Sequence, residues 1–187
     1  KLGVRGEQGI GDEISFASCI PDLMRDCKTV IVESDGRLEH LFRRSFDLEV
    51  HGTRYKGDAS WKSTRRFDAH ISIGQLAQFY RNRTEDFHGK PYLKPNPVMA
   101  LQWRALLDSL GKKPKIGISW TGGLAHTGLA KRSVPLDAFG PLFEEIDADW
   151  ISYSTRKSLP NPLKSTGSRF TIGNGVRGSM TMTKPPL

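Results

Sequence analysis

The hydrophobic and polar positions of this chain follow two alternating patterns. Short apolar or β-branched runs predict strands at 2–5, 29–33, 48–52, 67–72, 115–120 and 150–153. Between them, apolar residues that recur every three or four positions predict helices at about 12–26, 37–46, 74–80, 98–110 and 135–146. Strands that alternate with helices in this way indicate an α/β fold built on a parallel sheet.

Two of the predicted helices have features of their own. Pro21 lies in the middle of the first and has no backbone N–H, which predicts a kink or a break. The expected buried stripe of that helix consists of Phe16, Ile20, Leu23, Met24 and Cys27. The helix at 98–110 is amphipathic, and Gly111 is its expected C-terminal stop. Its apolar positions are Met99, Leu101, Trp103, Leu106, Leu107 and Leu110.

The order of the elements predicts two similar units. Three prolines and one glycine at 85–97 mark an extended crossing segment, so we assign a Rossmann-like domain to 1–92 and a partial second one to 93–154. At 155–187 the apolar period is lost, which predicts a poorly ordered basic tail with Phe170 and Ile172 as its best strand candidates. Because the chain begins at Lys1 rather than Met, we expect it to be a piece of a longer protein.

The formal net charge of +8 lies mainly in the tail. Residues 155–187 hold six basic residues and no acid, so 1–154 carries only +2, which argues against nucleic acid as a partner. Cys19 and Cys27 are expected roughly 12 Å apart on one helix. That is too far for a disulfide and indicates packed thiols in a reducing compartment. No apolar run reaches the length of about 18 residues that predicts a membrane span, and we expect a cytoplasmic protein.

A glycine-rich turn, Gly6–Asp12, joins the first strand to the first helix and is the first candidate site. In α/β proteins such a turn presents backbone N–H groups at the carboxyl edge of the sheet, where ligands bind. Asp12 is the candidate catalytic residue, and Gln8, Gly9 and Gly11, which form the turn beside it, are candidates for holding a substrate. The alternative is that Asp12 only caps the helix, as aspartate often does. Glu13 is expected to be a favourable charge in the first helical turn.

The same turn partly matches the dinucleotide-binding fingerprint. Gly9 and Gly11 are followed by Glu33 at the end of the second strand, where an acid that binds ribose would be expected. Ile14 occupies the position of the third glycine, which weakens a dehydrogenase interpretation. Tight turn geometry is the expected reason for both glycines.

The loop after the strand at 115–120 is the second candidate site. Lys131 and Arg132 precede a predicted helix start, where the oxygens of a diphosphate would meet both cations and N–H groups. The further candidates are Ser119, Trp120, Thr121, Gly122 and His126. Each also has an ordinary interpretation, because loop residues are mostly solvated and a tryptophan at a strand end is often part of the core. The other histidines and the cysteines lack metal-ligand spacing, so no metal site is proposed.

Two segments together resemble a known family. Gly6–Asp12 followed by Phe16 and Pro21, and 116–122 continuing to 131–136 (KRSVPL), resemble the glycosyltransferase domain that follows tetratricopeptide repeats in many bacterial proteins. That domain is similar to the heptosyltransferases of glycosyltransferase family 9. The resemblance extends over about 1–154, and the pair of motifs at this separation is more specific than either alone.

The resemblance implies a GT-B architecture and sugar transfer from a nucleotide-activated donor to a hydroxyl acceptor, a saccharide or a protein. The first domain would hold the acceptor, with Asp12 as general base. The second would hold the nucleotide-sugar, with Lys131 and Arg132 near its phosphates and without a metal cofactor. Tetratricopeptide repeats would precede the chain, and the location would be the cytoplasm or the inner membrane surface.

The tail departs from the family pattern. The family continues with a motif of the type Asp-Thr-x-x-x-His near the donor, and nothing at 155–187 matches it. This change predicts a truncation or a reading-frame change near residue 154 and an incomplete second domain. The alternative function is therefore a non-catalytic nucleotide-binding or protein-interaction module that retains the fold.

Overall fold

The computed structural model describes residues 1–120, 128–152, 170–172 and 181–182. The chain divides into two compact units, Lys1–Leu101 and Gln102–Leu187. The strands are β1 Leu2–Arg5, β2 Val30–Glu33, β3 Glu49–His51, β4 Ala69–Ser72, β5 Lys115–Ile118, β6 Asp149–Ser152, β7 Phe170–Ile172 and β8 Thr181–Met182. The α-helices are α1 Ile10–Phe16, α2 Ile20–Asp26, α3 Glu39–Phe46, α4 Ala77–Tyr80, α5 Pro97–Ser109 and α6 Gly140–Glu145.

The first unit is an α/β domain with a four-stranded parallel sheet in the order β3-β2-β1-β4. This arrangement is consistent with a Rossmann-like domain and confirms the α/β class expected from the sequence. One face of the sheet packs against the helices. Its apolar side chains Leu2, Val4, Val30, Val32, Val50 and Ile71 join Ile20, Leu23, Phe42 and Phe46 in one core.

The first predicted helix is broken, as Pro21 indicated. A 3₁₀ turn at Ala17–Cys19 separates α1 from α2, and Pro21 lies in the first turn of α2, where its missing N–H costs nothing. The predicted stripe was wrong at Met24, which is exposed although Ile20 and Leu23 of the same helix are buried. Cys19 is buried and Cys27 half-buried, and burial raises the pKa of the Cys19 thiol.

Polar contacts tie the segment after β4 to α2. Arg81 donates to Asp22 at 2.7 Å, and both side chains are more than nine-tenths buried. Burial alone would raise the pKa of Asp22, but hydrogen bonds from Arg81 and Arg25 outweigh it and lower that pKa. The Tyr80 hydroxyl donates to Asp26 at 2.8 Å, and burial raises the pKa of Tyr80 to about 12. The segment therefore packs as part of the first unit.

The second unit contains a four-stranded sheet in the order β5-β6-β7-β8, in which β5, β6 and β7 are parallel and β8 is antiparallel. Its core consists of Ile118, Trp120, Leu136, Phe143, Ala148 and Trp150. The helix predicted near 135–146 is a 3₁₀ turn, Leu136–Phe139, followed by α6. The predicted strand at 170–172 is confirmed, and the rest of the predicted tail other than 181–182 lies outside the described residues.

Helix α5 spans the division between the units. Gly111 follows it with φ of 111°, which confirms the predicted glycine stop. No α5 residue is buried among those that the structure describes, and the apolar Met99, Leu101 and Leu106 are exposed. Among the described residues, no helix is long and apolar enough to cross a membrane.

Candidate functional site

The candidate site lies at the carboxyl edge of the first sheet, where the strand order reverses. The chain progresses outward from β1 through β2 to β3 and then returns to the other side of β1 as β4. Ligands of open α/β sheets bind at such a reversal, outside the carboxyl ends of the strands. The glycine turn after β1 and the turn after β4 meet here, since the Gly74 N–H donates to Glu7 Oε1 at 3.0 Å.

Glu13 is buried directly beneath the glycine turn. Its side chain is fully inaccessible, and its carboxylate forms an ion pair with Arg54, whose side chain is 15% exposed. The other carboxylate oxygen accepts a hydrogen bond from the Asp35 N–H at 3.0 Å. The sequence indicated only a first-turn charge at this position. The structure shows instead an internal ion pair that joins α1, the end of β2 and the loop after β3.

Arg54 and Tyr55 hold the glycine turn from outside. Arg54 Nη2 and the Tyr55 hydroxyl donate to the Gln8 carbonyl oxygen at 2.5 Å and 2.7 Å. Gln8 has φ of 64°, a left-handed conformation that few residues other than glycine adopt. Such backbone conformations cost free energy and persist where the surroundings enforce them. The two donors fix the turn in this conformation.

Asp12 is exposed in the first turn of α1. Its Oδ2 accepts a hydrogen bond from the Gly9 N–H at 2.8 Å, which closes the N-terminal capping interaction of the helix. The structure therefore contains the capping contact that the sequence offered as the alternative role of Asp12. The second carboxylate oxygen has no hydrogen-bond partner among the residues that the structure describes.

Neither Gly9 nor Gly11 has a backbone conformation that requires glycine. Tight turn geometry was the wrong explanation, because Gly9 has φ of −92° as the N-cap and Gly11 lies within α1. The positive φ of the turn belongs to Gln8. Gly6 is the glycine with a steric requirement, since a Cβ there would lie 2.8 Å from the carboxyl carbon of Glu13.

This difference gives a matched test within the motif. We expect Gly6→Ala to destabilise the chain by about 1–3 kcal/mol, because the new methyl group must displace the pinned Glu13 carboxylate. We expect Gly11→Ala to stabilise it by about 0.5 kcal/mol, because that position is helical and a Cβ there meets nothing within 4 Å. Urea unfolding of both variants checks the order, and equal effects would contradict it.

Glu33 is the last residue of β2, and Asp35 lies two positions after it. Two hydrogen bonds from the Arg37 guanidinium, at 3.0 and 2.8 Å, and one from the Arg37 N–H lower the pKa of Asp35 to about 2. Glu33, the expected ribose-binding acid of the dehydrogenase interpretation, is buried and contacts Lys62 Nζ at 2.6 Å and the Thr53 hydroxyl at 3.2 Å. Its carboxylate is thus engaged within the protein.

The second candidate site belongs to the second unit. Trp120 is a buried core residue, and its carbonyl oxygen accepts a hydrogen bond from the Val134 N–H at 2.9 Å. This contact brings the end of β5 close to the segment after Lys131 and Arg132, which are exposed in the 3₁₀ turn Leu129–Arg132. Ser119 is exposed beside Trp120. The other candidates, Thr121, Gly122 and His126, lie outside the described residues.

Sequence reasoning missed Arg54 and Tyr55 as parts of the first site. Both lie in the polar loop after β3, more than 40 positions from the groups that they contact. No local pattern marks such residues. Among the described residues, no group of three or more His, Cys, Asp or Glu side chains could hold a metal ion.

The fold and this edge define an α/β protein with a Rossmann-like parallel sheet and a glycine turn at the reversal of strand order. The chain is similar to protein FlbA of Caulobacter vibrioides, with 28% identity over 158 residues, which cover 76% of this chain and 26% of FlbA. The chain thus spans about a quarter of the length of that relative. No family model matches the chain. No solved structure matches it with significance.

Proposed function

We propose that the chain is part of a glycosyltransferase that moves a sugar from a nucleotide-activated donor to a hydroxyl acceptor. The observation that carries the proposal is the exposed Asp12 carboxylate at the carboxyl edge of β1, beside the reversal of strand order. Such a carboxylate can accept the proton of an acceptor hydroxyl as general base. The fixed glycine turn would keep it in place during the reaction.

The proposed donor site uses the second unit. Lys131 and Arg132 are exposed cations that make no ion pair with any residue that the structure describes. Cations of this kind stabilise the charge that develops on a departing nucleotide diphosphate, which removes the need for a metal ion. Ser119 and the further candidates Thr121, Gly122 and His126 would add contacts to the donor.

The wider context is part of the same proposal. The protein would have a GT-B architecture, with the first unit on the acceptor side and an incomplete second Rossmann-like unit on the donor side. Tetratricopeptide repeats would precede it, and it would act in the cytoplasm or at the inner membrane surface on a saccharide or protein acceptor. The resemblance of the two motifs to the family supports these points.

Binding of the donor gives the first test. We expect calorimetric titration with ADP-, GDP- and UDP-glucose to detect one preferred nucleotide-sugar. We expect the double variant Lys131→Gln/Arg132→Gln to bind it about 10–100-fold more weakly, because charge-assisted contacts to phosphate are lost. Lys112→Gln/Lys113→Gln, which removes two exposed cations of the same unit, is the matched control. Equal affinity of the two double variants would remove Lys131 and Arg132 from the site.

A non-catalytic module is the second candidate function. The hydrogen bond from the Gly9 N–H to Asp12 favours it, because a capping role alone accounts for an aspartate at this position. Nucleotide-sugar binding without hydrolysis or transfer would support a binding module. Absence of binding to all three donors would contradict both the transferase and the nucleotide-binding module.

A further inference from the structure

The two faces of the first sheet differ sharply. The face packed on the helices is apolar, whereas the opposite face carries ionisable side chains from all four strands. In register across the sheet, Arg5 of β1 pairs with Glu33 of β2, and Glu33 pairs with His51 of β3. Parallel sheets usually bury both faces under helices with apolar side chains. Here the connection from β3 to β4 contains only a 3₁₀ turn, Ser60–Lys62.

Four rings form a continuous row along this polar face. His51 stacks on Trp61 with ring centroids 3.9 Å apart, and Trp61 meets Phe67 edge to face at 6.2 Å. Phe67 in turn contacts His70 at 4.6 Å. Gly3 of β1 lies directly beneath the rings of Phe67 and His70. A Cβ at this position would lie 2.6 Å from His70 Nδ1. The rings of His51, Trp61, Phe67 and His70 therefore pack into one continuous wall on this face of the sheet.

The wall borders a cavity of about 660 Å³ that is strongly cationic. Its charged lining comprises Arg5, Lys62, Arg65, Arg66 and Glu33. The single carboxylate is already paired, since Lys62 Nζ lies 2.6 Å from Glu33 Oε1 and Arg5 Nε lies 4.0 Å from Glu33 Oε2. Positive charge thus exceeds negative charge inside the cavity.

Two arginines that line this cavity have N–H groups without an acceptor in the described part of the chain. Arg65 uses Nη2 to contact Glu49, but its Nε is buried and has no hydrogen-bond partner there. Arg66 makes no ion pair with a described residue. A buried donor without a partner costs free energy comparable to a lost hydrogen bond. The exposed Arg66 guanidinium is free to donate to an anion bound in the cavity.

We propose that this cavity binds a small organic anion, a phosphate or carboxylate carried on a ring. Guanidinium groups bind both anions through charge-assisted hydrogen bonds, and Arg65 and Arg66 provide them. The ring of the ligand packs against the wall of Trp61, Phe67 and His70. The cavity has the volume of a typical small-molecule site, far larger than an inorganic phosphate requires. This site is independent of the proposed transferase, which uses Asp12 and the second unit.

Calorimetric titration of the 187-residue chain tests the site with four probes: phenyl phosphate, benzoate, inorganic phosphate and benzyl alcohol. We expect at least one of the two ring anions to bind at least about tenfold more tightly than inorganic phosphate and benzyl alcohol. Comparison of phenyl phosphate with benzoate identifies the preferred anion. Affinity should fall as salt is raised, because the contact is ionic.

Variants locate the binding. Arg65→Gln/Arg66→Gln should weaken binding of the preferred ring anion at least about tenfold, and Arg104→Gln, an exposed cation on α5, should leave it unchanged. Circular dichroism checks that each variant is folded. In NMR spectra, the preferred ring anion should shift the Trp61 indole N–H resonance of the parent, assigned with Trp61→Phe.

Three results would overturn the proposal. One is failure of both ring anions to bind at 10 mM, a concentration about an order of magnitude above a weak Kd of 1 mM. Another is inorganic phosphate or benzyl alcohol binding as tightly as the better ring anion. The third is unchanged affinity in the folded double variant. None of these results depends on sugar transfer, so they are distinguishable from a failure of the proposed function.

Discussion

Replacing Glu13 with glutamine is expected to lower the free energy of unfolding of the first unit by about 3–5 kcal/mol. The carboxylate is fully buried and accepts from both Arg54 and the Asp35 N–H. Glutamine offers one oxygen, so its NH₂ group would face one of these donors. Arg54 would then remain as a mostly buried cation without its charge partner. Removal of one member of a buried pair is costly because the other charge stays desolvated.

Urea unfolding, monitored by hydrogen exchange at the amides of β1 and β2, measures this effect within the first unit. Glu85→Gln is the matched control, since Glu85 is exposed in the same unit and its substitution should change stability by less than about 0.5 kcal/mol. Arg54→Met completes a double-mutant cycle with Glu13→Gln. If Glu13→Gln is as stable as the parent, or the cycle shows no coupling energy, the ion pair does not stabilise the glycine turn.

Replacing Asp12 with asparagine is expected to reduce sugar transfer about 100- to 10,000-fold, the usual contribution of a general base. Asparagine retains an oxygen that can accept the Gly9 N–H, so the capping contact and the fold should persist. Loss of the negative charge in the first turn of α1 should cost less than about 1 kcal/mol. The measurement is transfer from the preferred nucleotide-sugar, with donor affinity determined separately by calorimetry.

The chain contains a closely matched control for this substitution. Asp86 is a half-buried aspartate in a similar capping interaction, and its Oδ2 accepts from the Asn82 and Arg83 N–H groups at 3.0 Å. Asp86→Asn should therefore reproduce the structural effect and leave transfer intact. Undiminished transfer by Asp12→Asn would remove Asp12 from the mechanism. An equal loss in both variants would assign the effect to the fold.

The local sequence pattern was sufficient to predict most helices and strands of the first unit. The β-branched run at 29–33 predicts a buried strand, and all four residues of β2 are buried. Pro21 predicts the break between α1 and α2, because proline has no backbone N–H to donate within a helix. The burial predicted for Met24 was wrong, because burial depends on a neighbour. Met24 and the apolar positions of α5 have helical spacing, but spacing alone does not supply a surface to pack against.

The candidate site shows the same limit. The glycine turn and Asp12 are visible in the sequence, because a strand, a turn and a helix start are consecutive there. The side chains that fix the turn come from Arg54 and Tyr55, and nothing near them in the sequence distinguishes them from other polar loop residues. The reason for Gly6 is likewise the position of Glu13, seven residues further along and folded back over it.

The sequence by itself determined the α/β class, the position of the glycine turn and the proline break, since periodicity, β-branching and proline act within a few residues of backbone. Only the tertiary structure decided that Glu13 forms a buried ion pair with Arg54, that Gln8 rather than a glycine has a left-handed backbone, and that one face of the sheet borders a cationic cavity. Each of these depends on groups far apart in the chain. The free energies of these features depend on desolvation and on distances between side chains, and both are set only once the strands have assembled in their order.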